Sequence, residues 1–172
     1  TASLSKRSMP AKSGSLQDRL ETIGANPMFP WKGYAGYRLA NSNGSDPEID
    51  ILIVTHRIVI VIELKQWING EITSAEDRWF LGNVSKGRSP VATTREKKDF
   101  IQTQLQPLKN KFTNKGHYPF IDYLVVMTGS ATFDKLSPVE KKHTLTLDQF
   151  LELADETEFD KRFPPRNSHP KV

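Results

Sequence analysis

Two carboxylates and an ammonium group lie in the most apolar part of the chain. Asp50 falls near the start of one aliphatic run, and Glu63 and Lys65 fall at the end of the next. Side chains two residues apart on a strand share a face, so Glu63 and Lys65 should point the same way. Carboxylate oxygens without a cysteine or a close histidine suit a hard divalent ion, Mg²⁺ or Mn²⁺. The residue types therefore predict an oxygen-ligated metal site beside a lysine.

A β-hairpin is the element that would bring these groups together. Aliphatic runs at residues 49–54 and 58–64 flank a short polar turn, which is the pattern of two buried antiparallel strands. With that turn at the centre, facing residues have numbers that sum to about 113, so Asp50 lies opposite Glu63. Like charges in such a pair are destabilising, and a cation should lie between them. The alternative is an exposed hairpin end at which Lys65 forms a salt bridge with one carboxylate.

The order of these residues resembles the core motif of the PD-(D/E)XK nucleases, in which an acidic residue precedes Glu-x-Lys. Here Asp50 is followed by Glu63-Leu64-Lys65. Two tryptophans and a glycine narrow the resemblance to the nuclease-related domain, or NERD: Trp67, Gly70 and Trp79. The resemblance covers residues 15–130. It implies a restriction-endonuclease-like α/β fold, in which helices flank a central mixed β-sheet around an αβββαβ core.

The resemblance also implies an activity, the divalent-metal-dependent endonuclease hydrolysis of DNA phosphodiester bonds with little sequence preference. The metal would be held by Asp50, Glu63 and the backbone carbonyl of Leu64. Lys65 would orient the attacking water and stabilise the developing negative charge. RNA stays open as a substrate, as does the choice between one metal ion and two. The alternative is a catalytically weak or inactive module of the same fold that binds DNA or a partner chain.

Further side chains are candidate auxiliary ligands. In the resembled nucleases an acidic residue of the first helix can assist the metal, and a short helix is expected here over residues 15–24. The candidates on that helix are Gln17, Asp18 and Glu21. Glu48 shares a strand face with Asp50 and is a fourth candidate. A solvated surface position is the alternative for each of them.

A second helix should follow, from the cap signal Ser89-Pro90 to about Leu105. Basic residues gather near its start and would contact DNA phosphates: Arg88, Arg95, Lys97 and Lys98. An ordinary charged helix surface is the alternative. Nuclease-related domains usually carry Asn-Pro-x-x-Gln here, whereas in this chain only Pro90 matches and Thr93 stands in place of the glutamine. This departure favours the weak or inactive alternative.

The remaining elements follow from aliphatic runs and turn signals. We expect a first strand at residues 37–40, a second hairpin that pairs 71–74 with 78–81 and continues the sheet, a strand at 121–127, a short edge strand at 144–147 and a last helix at 148–154. The strand at 121–127 should lie inside the sheet, because it follows the helix crossover.

Composition limits the class of protein. A length of 172 residues favours one domain, expected at 15–160 between a flexible tail at 1–14 and a Pro-rich tail or linker at 161–172. The absence of cysteine excludes disulfides and thiolate zinc sites. A net charge of +4 favours a polyanionic partner such as DNA.

The sequence also suggests a cellular context. No apolar run approaches the length that spans a bilayer, so a cytoplasmic protein without membrane contact is expected. The resemblance implies fusion to a further domain, such as a helicase, a kinase or a zinc ribbon, in proteins that include phage-defence systems. The oligomeric state stays open.

Overall fold

A computed structural model describes residues 31–38, 48–112 and 119–165. The strands in chain order are β1 (Lys32–Arg38), β2 (Glu48–Val54), β3 (Ile58–Lys65), β4 (Ile72–Ala75), β5 (Arg78–Leu81), β6 (Val84–Arg88), β7 (Phe120–Met127) and β8 (Thr144–Thr146). The helices are α1 (Pro90–Leu105), α2 (Pro138–Lys142), α3 (Leu147–Glu152) and α4 (Glu156–Arg162), and a 3₁₀ turn at Gln106–Lys111 follows α1. Within these three segments, no helix is long and apolar enough to cross a membrane.

A five-stranded mixed sheet forms the centre of the fold, with the strand order β1-β2-β3-β7-β8. Neighbours among β1, β2 and β3 are antiparallel, whereas β7 runs parallel to β3 and β8 runs parallel to β7. Helix α1 precedes β7 and packs against both β7 and β3. This is the restriction-endonuclease-like α/β architecture that was expected, and the βββαβ part of its core is confirmed. The expected first helix at 15–24 lies outside the described residues.

Strand β3 is central and is covered on both faces. Ile60 and Ile62 pack in one core cluster with Phe150 of α3. Val59 and Val61 pack in a second cluster with residues of α1. A strand buried on both faces reads as a continuous aliphatic run rather than an alternating one. Its charged residues are therefore confined to its carboxyl end, where the core gives way to the surface.

The hairpin of β2 and β3 has the register that the sequence predicts. Ile51 faces Ile62, and Val54 faces Val59. The turn is closed by Thr55, whose Oγ1 accepts a hydrogen bond from the N–H of Ile58 at 3.0 Å and donates one to its carbonyl at 2.8 Å. The chain reversal is thus fixed at the point that sets which residues of the two strands face each other.

The second predicted hairpin forms, but the expectation that it continues the main sheet is wrong. β4 and β5 pair with each other and join β6 in a separate three-stranded sheet. They cannot join the main sheet next to β3, because β2 and β7 occupy both edges of that strand. Strand β6 was not predicted, since most of its side chains are exposed and give no apolar alternation.

The predicted helix α1 and strand β7 are confirmed. Ser89 caps α1 by accepting a hydrogen bond at Oγ from the N–H of Ala92, Pro90 occupies the first turn, and the helix ends at Leu105. Pro107 follows in the 3₁₀ turn, as expected for a residue that cannot continue an α-helix. Strand β7 lies between β3 and β8 and is buried, and β8 is the expected short edge strand.

The first strand and the last helix differ from their predictions. β1 begins at Lys32 rather than at 37, because glycines and charged residues hide its start in the sequence. The predicted last helix corresponds to α3, but α4 follows it. Phe159 and Phe163 are both buried in the first core cluster. The packed core therefore extends to Phe163, beyond the boundary at 160.

Candidate active site

The carboxylate of Asp50 is fixed against the backbone of β3. Its Oδ2 accepts a hydrogen bond from the N–H of Leu64 at 2.7 Å. The backbone pairing of β2 with β3 ends at Ile51 and Ile62. Beyond that pair, the Asp50 side chain replaces a backbone carbonyl of β2 as the acceptor for the Leu64 N–H. Asp50 is thereby placed beside the carboxyl end of β3, as the hairpin register predicts.

Glu63 lies at the centre of the cluster and is buried, with 8% of its surface exposed. Its Oε1 accepts a hydrogen bond from Nζ of Lys65 at 2.7 Å, and its Oε2 accepts one from Nζ of Lys97 at 2.6 Å. Burial alone would raise the pKa of Glu63, but the two ammonium groups outweigh burial and lower that pKa below its usual value. Glu63 is therefore ionised at neutral pH.

Two lysines thus supply the positive charge that the facing carboxylates require. The contact between Lys65 and Glu63 is the salt bridge that the sequence left open as an alternative. That alternative placed it at an exposed hairpin end, whereas the Lys65 side chain is only 27% exposed. Lys97 was predicted to bind phosphate, and the structure instead places its ammonium on Glu63. Lys97 comes from α1, which packs on the face of β3 that carries Val59 and Val61, and Glu63 lies on that same face by strand alternation.

The oxygens at this strand end have the chemistry of a hard-metal site. Asp50 and Glu63 supply carboxylates, and the Leu64 carbonyl points toward the same edge of β3 as its N–H, which is bonded to Asp50. Such a set suits Mg²⁺ or Mn²⁺. No group of three or more histidine, cysteine or acidic side chains lies together anywhere in the described segments. The residues present fit a divalent ion with two side-chain ligands and one backbone ligand, provided that the ion shares or displaces a lysine at Glu63.

Of the four candidate auxiliary ligands, Glu48 lies among the described residues, and it does not join this cluster. Glu48 is exposed and lies 3.5 Å from the guanidinium of Arg38, its partner on β1. The other three candidates lie outside the described residues: Gln17, Asp18 and Glu21.

The basic residues near the start of α1 have separate surroundings. Arg88 donates two hydrogen bonds to Glu96 and one to Asp77, and these contacts raise the pKa of its guanidinium. Lys98 lies 2.5 Å from Asp99. Arg95 is exposed beside Tyr123. Of the four predicted phosphate-binding residues, only Lys97 reaches the candidate active site.

Thr93, which stands in place of the expected glutamine, forms its side-chain hydrogen bond within α1. Thr93 Oγ1 donates a hydrogen bond to the carbonyl of Pro90 at 3.1 Å, within its own helix. Lys97 lies one helical turn later on the same side of α1 and contacts Glu63. The spacing of four residues is visible in the sequence, but the rotation of α1 that directs Lys97 at β3 is not.

Backbone contacts hold the strand end that bears Lys65. The N–H of Thr128 donates to the carbonyl of Lys65 at 3.0 Å, and the N–H of Ala131 donates to the carbonyl of Trp67 at 3.1 Å. A Cβ atom at Gly129 would overlap the backbone of Trp67. The loop after β7 therefore lies so close to the segment that follows β3 that only glycine fits at position 129.

A partly buried polar network that sequence reasoning missed connects the small sheet to the helices. The carboxylate of Glu140 in α2 accepts hydrogen bonds from Ser74 in β4, Trp79 in β5, the cap residue Ser89 and Ser137, at 2.6 to 3.0 Å. Burial would raise the pKa of Glu140, but these donors lower it below its usual value. Only the Ser137 contact is local, because the other three donors lie 51 to 66 positions from Glu140 in the chain.

Comparison with known protein families identifies the family of this chain. The sequence profile described as nuclease-related domain matches residues 15–128, more than half of the chain. The matched segment includes Asp50, Glu63, Lys65 and Lys97. No curated protein and no solved structure matches the chain. The chain belongs to the nuclease-related domain family, and the cluster at the end of β3 is its candidate active site.

Proposed function

We propose that this domain is a divalent-metal-dependent endonuclease that hydrolyses DNA phosphodiester bonds with little sequence preference. One observation supports the proposal most strongly: the structure brings Asp50, Glu63 and Lys65 together at the end of β3. Membership of the nuclease-related family supports a nucleic-acid substrate. RNA is the other substrate to be compared in the test.

The proposed chemistry divides between a bound ion and the chain's own residues. Mg²⁺ or Mn²⁺, when bound, polarises a phosphoryl oxygen and lowers the pKa of a coordinated water. Asp50, Glu63 and the Leu64 carbonyl would hold the ion. The ammonium of Lys65 lies 2.7 Å from Glu63 Oε1, and it would stabilise the negative charge that develops on the phosphate.

Substrate binding would rest on charge and on the surface beside the site. The net charge of +4 attracts a polyanion without reading its sequence. Lys86 of β6 lies over the ring of Trp67, 5.9 Å from its centroid. Since Trp67 follows two residues after Lys65, this ammonium is a candidate contact for the DNA backbone near the site.

A catalytically weak or inactive module that binds DNA or a partner chain is the second candidate function. It is favoured by Thr93, which replaces the expected glutamine and bonds to its own helix. It is also favoured by the two lysines that occupy both oxygens of Glu63. The intact Asp50, Glu63 and Lys65 favour the enzyme.

Nicking of supercoiled plasmid tests the proposal. We expect Mg²⁺ or Mn²⁺ to support nicking by the purified chain, EDTA to abolish it, and Glu63→Gln to lower its rate by about a hundredfold or more, because the central ligand loses its charge. Asp134→Asn, which alters an exposed carboxylate, is the matched control. Equal rates in Glu63→Gln and the wild type would identify a contaminant and reject the proposed site. Bound but uncut DNA would favour the second candidate.

A further inference from the structure

Lys97 is a largely covered lysine that forms an ion pair with Glu63 at the candidate active site. Its Nζ lies 2.6 Å from Glu63 Oε2, and only 18% of its side chain is exposed. The neighbouring Lys98 has a similarly covered side chain, but it pairs with Asp99 on the same helix. Lys97 is therefore the residue of α1 that connects the helix to the catalytic strand by an ion pair.

The formal charges of the cluster cancel when Lys97 is included. Asp50 and Glu63 are negative, and Lys65 and Lys97 are positive. The motif residues Asp50, Glu63 and Lys65 alone would leave one negative charge to attract a divalent ion. With Lys97 in place the site has no such excess, and an added divalent ion meets a second nearby cation in a partly buried position, where repulsion is stronger than in water.

The oxygens that an ion would need are already engaged by protein donors. Glu63 Oε1 accepts from Lys65 and Oε2 accepts from Lys97, while Asp50 Oδ2 accepts from the Leu64 N–H. An ion that binds Asp50 and Glu63 together must share or displace an ammonium at Glu63. An ion at Oε2 would lie within a few ångströms of the Lys97 ammonium, so the two cations repel each other and binding of the ion weakens the Lys97 contact.

Lys97 is better suited than Lys65 to withdraw. Lys65 lies two residues from Glu63 on the same strand, so its backbone is fixed beside the carboxylate. Lys97 reaches Glu63 from a different element, along four rotatable carbons, and a lysine head can move away on such a stem at low cost. Lys97 can therefore move away from Glu63 while Asp50, Glu63 and Lys65 stay in place.

We propose that Lys97 is a displaceable counter-ion of Glu63 that competes with the divalent ion for Oε2. In the metal-free chain it neutralises the buried carboxylate, and the ion binds only as Lys97 leaves. The inference rests on the proposed function, since it presumes that the ion binds at Asp50 and Glu63. It assigns to Lys97 a role in metal loading rather than general phosphate binding.

Mn²⁺ binding to the DNA-free chain, measured by calorimetry and by the electron paramagnetic resonance signal of free Mn²⁺, tests this competition. We expect Lys97→Met and Lys97→Gln each to tighten Mn²⁺ binding about tenfold, the order expected when one cation a few ångströms away is removed. Lys97→Arg should keep the weak affinity of the wild type, because it keeps the charge. Lys141→Met, which removes the charge of an exposed lysine of α2, is the control and should leave the affinity unchanged.

Two further comparisons locate the effect. Adding Asp50→Asn to Lys97→Met should remove the tightened binding, which assigns it to this site. Wild-type affinity in both neutral Lys97 variants would overturn the inference while leaving the proposed metal site intact. Mn²⁺ binding in none of the proteins would overturn both the inference and the metal-dependent function. Circular dichroism of each variant checks that it is folded.

Discussion

Lys65 should affect catalysis without holding the metal. It contributes an ammonium 2.7 Å from Glu63 but no ligand oxygen. We expect Lys65→Met to lower the plasmid nicking rate by about a hundredfold, the order of losing one group that stabilises a developing charge. Mn²⁺ affinity should be preserved or strengthened, because the substitution removes a cation. Lys141→Met, an exposed lysine of α2, is the control, and wild-type nicking by Lys65→Met would refute the electrostatic role.

At the scale of single residues, the sequence predicted the contacts that depend on strand periodicity. Asp50, Glu63 and Lys65 come together because the hairpin register and side-chain alternation leave little freedom. The contact between Lys97 and Glu63 joins a helix to a strand 34 positions away. It depends on how α1 is rotated over the sheet, which core packing decides and which no local pattern reveals.

Among the elements, the loop after β7 offers the sharpest test of how the site is positioned. Gly129 lies against the backbone of Trp67, and a Cβ atom there would overlap it. We expect Gly129→Ala to lower the free energy of unfolding by about 2 to 4 kcal/mol, since backbone rather than a flexible side chain must move. Urea denaturation measures the change.

Gly33→Ala in β1 is the matched control for that substitution, because an added Cβ meets no atom within 4 Å there. If Gly129→Ala were as stable as Gly33→Ala, the close approach of the two loops would be disproved. A folded Gly129→Ala variant with reduced nicking would further connect this approach to the placement of Lys65, whose carbonyl is bonded to Thr128.

The elements also show where sequence patterns stop being informative. The β2–β3 hairpin, α1 and β7 were predicted because each has a long apolar run or a clear cap. β6 was missed because a mostly exposed strand needs no apolar alternation. The second hairpin was assigned to the wrong sheet, since its pairing partner depends on which edges of β3 are already occupied.

For the whole molecule, Glu140 should make stability depend on pH. Its carboxylate connects α2 to Ser74 and Trp79 of the small sheet and to the cap of α1. The folded-state pKa lies below the ordinary value of 4.5, so its stabilisation is present above that pH and is lost as the pH falls through the folded pKa. Acidification should therefore destabilise the wild type partly through this group.

We expect Glu140→Ala to lower the free energy of unfolding at neutral pH by about 1 to 3 kcal/mol, because the fully buried Trp79 loses its acceptor. Glu140→Gln should reduce the loss of stability between neutral pH and pH 4, since the amide does not titrate. Urea denaturation at both pH values measures this, with the exposed Glu152→Gln as control. An unchanged pH dependence in Glu140→Gln would exclude the network as its source.

For the molecule as a whole, the fold class could be predicted from the sequence, but the way in which the small sheet packs on the main body could not. The motif and its apolar strands identified the restriction-endonuclease-like core. Glu140 connects the small sheet to the main body through donors in β4, in β5 and at the cap of α1. Such a network is specified only by the packed three-dimensional structure.

The initial rate at which supercoiled plasmid becomes open-circular, with Mn²⁺ and with EDTA, shows whether the end of β3 is a hydrolytic site. Wild type and Glu63→Gln should be purified and measured in parallel. We expect Mn²⁺-dependent nicking that EDTA abolishes and that Glu63→Gln lowers by about a hundredfold or more. Nicking that proceeds equally in the two proteins, or a wild type that binds DNA with Mn²⁺ present and never cuts it, would contradict a hydrolytic site at the end of β3.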